Sequence, residues 1–199
     1  NDSNVFQLAE AFNDERFALD SYRRLIQMYS NVVLGVEHER FEAVLANKKR
    51  MDNVVSDADF NVDQLNWIIN AYKNTVERFT DSLFPQDPYE QLTGAIEAVF
   101  NSWQNKRAVI YRKINNIPDS WGTGATIQTM VFGNLNDKSG TGVAFTRNPS
   151  NGDKELYGEY LINAQGEDVV AGIRTPHPIT KHSKAVSYTH LRAHETPTN

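Results

Sequence analysis

The hydrophobic positions of this chain change their spacing part-way along. In the first half, apolar residues recur every three or four positions, which is the pattern of a helix with one buried face. Residues 14–33 and 63–79 carry such a stripe, and a shorter stripe surrounds Phe41. The charged residues 47–52 follow the short stripe and are expected to end its helix. The pattern predicts a layer of packed helices.

A fourth helix is predicted to begin at Asp87. An aspartate followed by a proline is a common helix start, because the carboxylate accepts from free backbone amides and the proline fixes the first helical φ. The apolar stripe that follows is expected to dock on the preceding helices: Leu92, Ala95, Ile96, Val99, Phe100 and Trp103. Residues 1–115 are therefore predicted to form a helical subdomain.

After Asn115 the helical spacing disappears. Gly, Pro, Thr and β-branched residues become frequent, and the pattern predicts strands at residues 125–133, 142–146 and 157–164, separated by turn-rich stretches. Short turns favour antiparallel neighbours. Helices followed by strands predict an α+β fold, with a partial, mainly antiparallel sheet over residues 116–180.

Both ends of the chain are expected to differ from the region between them. Residues 181–199 have no usable periodicity, and we expect them to be non-native or disordered. The first residue is Asn1 rather than Met, and we expect the sequence to begin inside a longer protein.

Composition narrows the function classes. The chain has 199 residues, of which 40% are apolar, so it is long enough to bury a core. Its 20 Lys and Arg are outnumbered by 25 Asp and Glu, so we expect no nucleic-acid partner. The absence of cysteine removes disulfides, thiol catalysis and thiolate metal sites. No run approaches the about 20 apolar residues of a membrane-spanning helix, so no membrane location is expected.

Three short motifs carry candidate chemistry, and each also has an ordinary structural explanation. Residues 122–124, Gly-Thr-Gly, could bring amides near a phosphate, but a turn with positive φ is favoured. Glu167 and Asp168 could bind ribose hydroxyls or Mg²⁺, whereas a solvated turn is more common. Arg147, at a strand end, fits either a phosphate or a carboxylate. The histidines show no metal-ligand spacing, and no nucleophile motif is present.

Longer strings of sequence resemble one family. Residues 13–28, 84–88 and 96–103 closely resemble successive segments of the pyruvate, phosphate dikinase family, in the family's order. The resemblance continues through residues 115–123, 130–134, 142–149 and 157–176. The strings Phe-Thr-Arg-Asn-Pro at 145–149 and Ala-Gln-Gly-Glu-Asp at 164–168 favour this family over relatives such as phosphoenolpyruvate synthase.

The resemblance implies part of an ATP-grasp nucleotide-binding region. The family converts ATP, phosphate and pyruvate into AMP, diphosphate and phosphoenolpyruvate through a phosphohistidine, with Mg²⁺. Its carrier-histidine domain and pyruvate-binding barrel have no match here and would be partners within the parent protein. We therefore expect a fragment without catalytic residues that is inactive alone. The parent is expected to be a homo-oligomer in the cytoplasm, with plastid and glycosome as alternatives.

The resemblance also assigns residues. Gln128, Met130 and Val131 match the strand that lines the family's adenine pocket, where main-chain groups read the base edge and apolar side chains contact the ring. Glu167 and Asp168 match the acidic pair beside the nucleotide, in contact with ribose or metal. Residues 122–125, Gly-Thr-Gly-Ala, depart from the more usual Gly-Thr-Ala-Val of the family. The alternative is a scaffold fragment that binds no nucleotide.

Overall fold

The computed structural model describes residues 1–170 and 174–180, and it divides into two compact units, Asn1–Ile127 and Gln128–Asn199. The described helices of the first unit are α1 (Asp2–Phe12), α2 (Glu15–Val32), α3 (His38–Asp52), α4 (Val62–Thr80), α5 (Pro88–Ser102) and α6 (Lys106–Ile114). Two short 3₁₀ turns, Asp57–Asp59 and Asp119–Trp121, lie between helices and after α6. The predicted domain bounds 1–115, 116–180 and 181–199 stay predictions, and residues 181–199 lie outside the described part.

Local capping explains where the predicted helices begin. Asp14 accepts a hydrogen bond from the Phe17 amide at 2.9 Å and starts α2. The Asp87 carboxylate accepts from the Tyr89 amide at 2.8 Å and starts α5, as predicted. Such caps satisfy backbone amides that have no partner inside the helix.

Neither α1 nor α6 was predicted as a separate helix, and α3 is longer than predicted. Helix α1 buries one residue, Val5. Helix α3 does not end before residues 47–52 but continues through them to Asp52. The long charged side chains of this run favour helix, and Lys48 pairs with Asp52 one turn later at 2.9 Å. The charged run is therefore the solvated last part of the helix.

The core of the helical unit lies between α2, α3 and α4. The aromatic rings of Phe41 and Tyr72 meet edge-to-face with centroids 5.0 Å apart. Around them lie fully or almost fully buried apolar side chains of α2 and α4: Ile26, Leu65, Ile68, Ile69 and Val76. The burial of these apolar side chains stabilises the packing of the helices, and it is the buried face that the helical stripes predict.

Helix α5 packs less deeply than its stripe predicts. No residue of α5 is buried, and Leu92, Val99 and Phe100 are 40%, 39% and 50% exposed. The helix approaches α2 closely at Gly94, where a Cβ atom would lie 2.4 Å from the Tyr29 hydroxyl. The prediction that α5 docks on the preceding helices is confirmed, but the contact with the core runs along the edge of the apolar stripe, through Ala95, and the rest of the stripe is less buried than expected.

Charged side chains of α2 reach the Asp57–Asp59 turn that follows α3. The Arg23 guanidinium donates to Asp20 at 2.8 and 2.9 Å and lies 3.6 Å from Asp57. Arg24 approaches the second oxygen of Asp20 at 3.3 Å. Burial alone would raise the pKa of Asp20, but the two guanidinium groups hold that pKa below its ordinary value.

A second arginine fixes the chain after α6. Arg112 is 3% exposed, stacks on the Trp103 ring at 4.0 Å and donates to the Asp119 carboxylate at 2.7 Å. The Trp103 indole donates to the Asp119 carbonyl at 3.2 Å. These contacts tie the end of α5, helix α6 and the Asp119–Trp121 turn together.

The second unit contains an antiparallel sheet. Its strands are β1 (Gly140–Phe145), β2 (Tyr157–Ile162) and β3 (His177–Pro178), in the order β1-β2-β3, and helix α7 (Gly166–Val170) follows β2. Val143 pairs with Glu159, which pairs with Pro178. Leu161, Ala164 and Val169 form a small core between β2 and α7. The α+β class with an antiparallel sheet is confirmed.

The predicted strand at residues 125–133 is wrong. In the described part of the chain these residues form no ladder, and Met130 and Val131 are 59% and 90% exposed. Alternating apolar and polar residues suit a half-buried sheet surface, but they become a strand only where a neighbouring strand accepts their hydrogen bonds.

No helix of the described residues combines the length and the apolar character needed to cross a membrane.

Candidate functional site

The acidic pair Glu167 and Asp168 lies in the first turn of α7. The chain leaves β2, turns at Asn163 with a positive φ of 49°, and enters the helix at Gly166. The Asp168 carboxylate accepts from the Gln165 amide at 2.8 Å, which caps the helix start. The pair therefore lies in a short capped helix rather than in the solvated turn that spacing favoured.

The stretch with Gln128, Met130 and Val131 leads directly to the same place. Just after Val131, the carbonyl of Gly133 accepts from the Ala164 amide at 3.0 Å. The Gln165 side-chain amide donates to Asn134 Oδ1 at 3.2 Å. We call residues 133–134 and 163–165 the junction. It joins the chain just after residues 128–131, the proposed adenine segment, to the chain just before the acidic pair.

Further hydrogen bonds hold the Asn163 side of the junction. The Asn163 amide donates to the Ser139 carbonyl at 2.8 Å, and its side chain donates to Asp137 at 3.2 Å. Arg174 donates to the carbonyls of Ile162 and Asn163, each at 3.1 Å. The turn between β2 and α7 is therefore bound both to the turn before β1 and to the segment before β3.

The chain near the junction exposes apolar groups and buries one acidic group in the neighbouring strand β2. Met130 and Val131 present apolar side chains to solvent, and Val131 lies within about 7 Å of Gly133, because two residues of extended chain span no more. Glu159 is buried in β2. Burial, and after it the charge of Glu159, raises the pKa of Tyr157.

Two other sequence motifs have structural roles. Gly122 adopts a φ of 73°, as the turn interpretation of residues 122–124 predicts, and it belongs to the helical unit. Arg147 donates to the Gly152 carbonyl at 3.1 Å within the loop between β1 and β2. Arg147 therefore donates to a backbone carbonyl group, whereas the sequence suggested a phosphate or a carboxylate as its partner.

Among residues 1–170 and 174–180, no three histidine, aspartate or glutamate side chains converge in a way that could hold a metal ion.

Comparison with known proteins identifies the family. Residues 40–197 match the family described as "Pyruvate phosphate dikinase, AMP/ATP-binding domain". The chain belongs to this family. A pyruvate, phosphate dikinase of Rhizobium meliloti (strain 1021) is 54% identical over 187 residues, which are 94% of this chain and 21% of the relative. The enzyme of Clostridium symbiosum is 53% identical over 182 residues, 91% of this chain and 21% of the relative.

A plant relative extends the comparison. The pyruvate, phosphate dikinase of Mesembryanthemum crystallinum, described as chloroplastic, is 53% identical over 176 residues, which are 88% of this chain and 18% of the relative. The chain thus spans about a fifth of the length of these relatives. Family membership confirms the resemblance seen in the sequence and supports the ATP-grasp assignment of the fold.

Sequence reasoning missed the residues that build the junction. Gly133, Asn134 and Gln165 lie inside strings that resemble the family, but no spacing marked them as a pair. Arg174 lies inside the string at residues 157–176 and was likewise not singled out. Their partners are far away along the chain, so a local pattern carries no signal for them.

Proposed function

We propose that this chain supplies part of the ATP-binding site of a pyruvate, phosphate dikinase. The observation that carries the proposal is the junction, because it places the chain beside Val131 and the chain before Glu167 within hydrogen-bonding distance of each other. Membership of an AMP/ATP-binding family supports it.

In this proposal each group has a distinct task. Met130 and Val131 contact the adenine ring, the main chain and side chain of Gln128 read its polar edge, and the acidic pair meets ribose or phosphate-bound Mg²⁺. Mg²⁺ would neutralise phosphate charge while Glu167 and Asp168 orient it.

The parent protein would convert ATP, phosphate and pyruvate into AMP, diphosphate and phosphoenolpyruvate through a phosphohistidine. Its carrier-histidine domain and pyruvate-binding barrel would be the partners of this region, in a cytoplasmic or plastid homo-oligomer. Because the chain spans about a fifth of its relatives, we expect it to form no phosphoenolpyruvate by itself. A coupled assay with ATP, phosphate and pyruvate, read against a protein-free blank, tests this.

The methionines offer a direct test of nucleotide binding. The chain has three, and Met28, Met51 and Met130 are 50%, 59% and 59% exposed. With ¹³C-labelled methyl groups, ATP with Mg²⁺ should shift the Met130 signal, because an adenine ring nearby changes its magnetic environment. Met28 and Met51, similarly exposed but in the helical unit, are matched internal controls.

We expect a dissociation constant of about 1 mM, which corresponds to about 4 kcal/mol. Adenosine should also shift Met130, whereas inorganic triphosphate with Mg²⁺ should not. If all three methyl groups respond alike, or none responds, the chain is a scaffold piece without a nucleotide site.

The acidic pair needs a mild substitution. Asp168→Ala would remove the cap of α7 as well as a charge, so Glu167→Gln with Asp168→Asn is the informative variant, since it keeps the acceptor oxygen. Weaker ATP binding with unchanged adenosine binding would place the pair at the phosphate-metal end, whereas weaker binding of both would place it at the ribose. If the double variant binds ATP as tightly as the unchanged chain, the pair is a helix cap alone.

A further inference from the structure

The proposed adenine segment is poorly supported by its own contacts. Residues 128–131 form no strand in the described part of the chain, and the side chains of Met130 and Val131 face solvent. An exposed segment without a ladder samples many conformations, and ordering it weakens the binding of a ligand. The segment's position therefore depends on the residues that attach it to the sheet.

Gly133 attaches the chain just after this segment to the sheet. It is buried, and a Cβ atom there would lie 2.5 Å from the Ala164 carbonyl oxygen and 2.7 Å from the Gly140 carbonyl oxygen. Both neighbours are backbone atoms of the sheet's ends, so no flexible side chain can move aside. Glycine is required here for close approach, and any side chain would push the segment away from β1 and α7.

Asn134 adds a specific polar link. Its Oδ1 atom accepts from Gln165 Nε2 at 3.2 Å, while the Gly133 carbonyl accepts from the Ala164 amide. Two successive residues on one side thus bond two successive residues on the other. Two bonds fix an orientation as well as a distance, which a single bond would leave free to rotate.

We propose that Gly133, Asn134 and Gln165 are positioning residues of the nucleotide site: they set the place of residues 128–131 relative to Glu167 and Asp168 without touching the nucleotide. The inference rests on the proposed function. The three residues would contact neither adenine nor phosphate. The contact of Met130 with the base would instead depend on the Asn134–Gln165 hydrogen bond.

The test combines Asn134→Ala with a matched control. Asn148 is also half-buried and lies in the same unit, where its side chain donates to Glu155 at 2.8 Å at the opposite end of the β1-β2 hairpin. We expect Asn134→Ala to lower the initial slope of the Met130 methyl shift against ATP about two- to tenfold, the contribution of one hydrogen bond. Asn148→Ala should leave that slope unchanged.

A rescue variant separates positioning from loss of structure. Asn134→Asp keeps the acceptor oxygen for Gln165, so with adenosine, which carries no charge, it should bind as the unchanged chain does. Gly133→Ala should lower the slope more than Asn134→Ala. The same two substitutions can be made in a Met130→Ala background, with ATP binding followed through the Gln128 side-chain amide signal. The losses caused by Asn134→Ala and Gly133→Ala should then be smaller, since both substitutions act through the segment that contains Met130.

The outcomes are distinct. If Met130 in the unchanged chain does not respond to ATP, the proposed function fails and this inference with it. If Met130 responds and Asn134→Ala and Gly133→Ala both keep the full slope, the site is present and the positioning role is refuted. If Gly133→Ala unfolds the sheet, which would appear as loss of the dispersed amide signals of β1 and β2, the positioning role is decided by comparing Asn134→Ala with Asn134→Asp.

Discussion

Replacing Asp20 by asparagine is expected to destabilise the helical unit strongly. The Asp20 carboxylate is 8% exposed as a side chain and accepts from the Arg23 guanidinium, itself 3% exposed, at 2.8 Å. Asp20→Asn keeps the volume and one acceptor oxygen but leaves the buried Arg23 and the half-buried Arg24 with less compensating charge. Breaking a buried pair in this way costs about 3 to 5 kcal/mol.

The lower end of this range is expected here. The asparagine side chain would still accept one hydrogen bond, and Asp57 remains 3.6 Å from Arg23. We therefore expect the free energy of unfolding to fall by about 3 kcal/mol, and the melting temperature by about 10 °C. Urea unfolding followed by tryptophan fluorescence measures this unit selectively, because Trp67, Trp103 and Trp121 all precede residue 128.

The chain contains a closely matched control. Glu37 also accepts from an arginine three residues later, Arg40, at 2.8 Å, but these side chains are 67% and 43% exposed. Glu37→Gln should cost less than about 1 kcal/mol. If the two substitutions change the free energy of unfolding equally, burial does not decide the strength of the Asp20 pair and the reasoning is refuted.

The same pair predicts a pH dependence. Because the pKa of Asp20 is lower in the folded chain than its unfolded value of about 4, the unfolded state binds more protons below that pH. The contribution of Asp20 is complete above about pH 5 and is lost as pH falls through the folded pKa. The stability difference between the unchanged chain and Asp20→Asn should therefore shrink as the pH falls below about 5. A difference that grows on acidification would contradict the assignment.

Three further substitutions test other contacts of the helical unit. Arg112→Met, which removes the guanidinium stacked on Trp103, should lower the urea midpoint and shift tryptophan emission to longer wavelength, with a cost of about 2 kcal/mol. Asp87→Ala should cost about 1 kcal/mol and reduce helical circular dichroism, since it uncaps α5. Gly94→Ala should destabilise, because its Cβ would meet the Tyr29 hydroxyl, but in a Tyr29→Phe background it should stabilise by up to about 1 kcal/mol through helix propensity.

Helices with strong local signals were predictable from the sequence. The stripes of α2 and α4 and the cap at Asp87 act within a few residues, and the structure has helices there. The end of α3 was not predictable from charge alone, because residues 47–52 are mostly charged yet continue the helix. Lys48 and Lys49 reach Asp52 and Asp57, and the second partner is found only when the following turn folds back.

The candidate site divides in the same way. The resemblance located Gln128, Met130, Val131, Glu167 and Asp168 along the chain, but it could not state how the two stretches meet. That information lies in the close approach at Gly133 and in the Asn134–Gln165 pair, whose members are 31 residues apart. Contacts over such separations leave no periodic pattern, so they appear only once the sheet has formed.

The stretch at residues 125–133 is where local pattern and structure disagree, and this disagreement bears on function. Its pattern is that of a strand with one buried face, yet Met130 and Val131, which would point to opposite faces of such a strand, are both exposed to solvent. Exposed apolar groups on a segment that is attached through Gly133 suit a surface that a ligand or further sequence covers, because burying them recovers the free energy that hydration costs. Adenine is flat and largely apolar on its faces, so under the proposed function it is the group that would cover these side chains. A strand pattern without a strand partner, attached to the sheet through Gly133, is therefore what the proposed adenine wall requires, because its apolar groups stay uncovered where the base would lie.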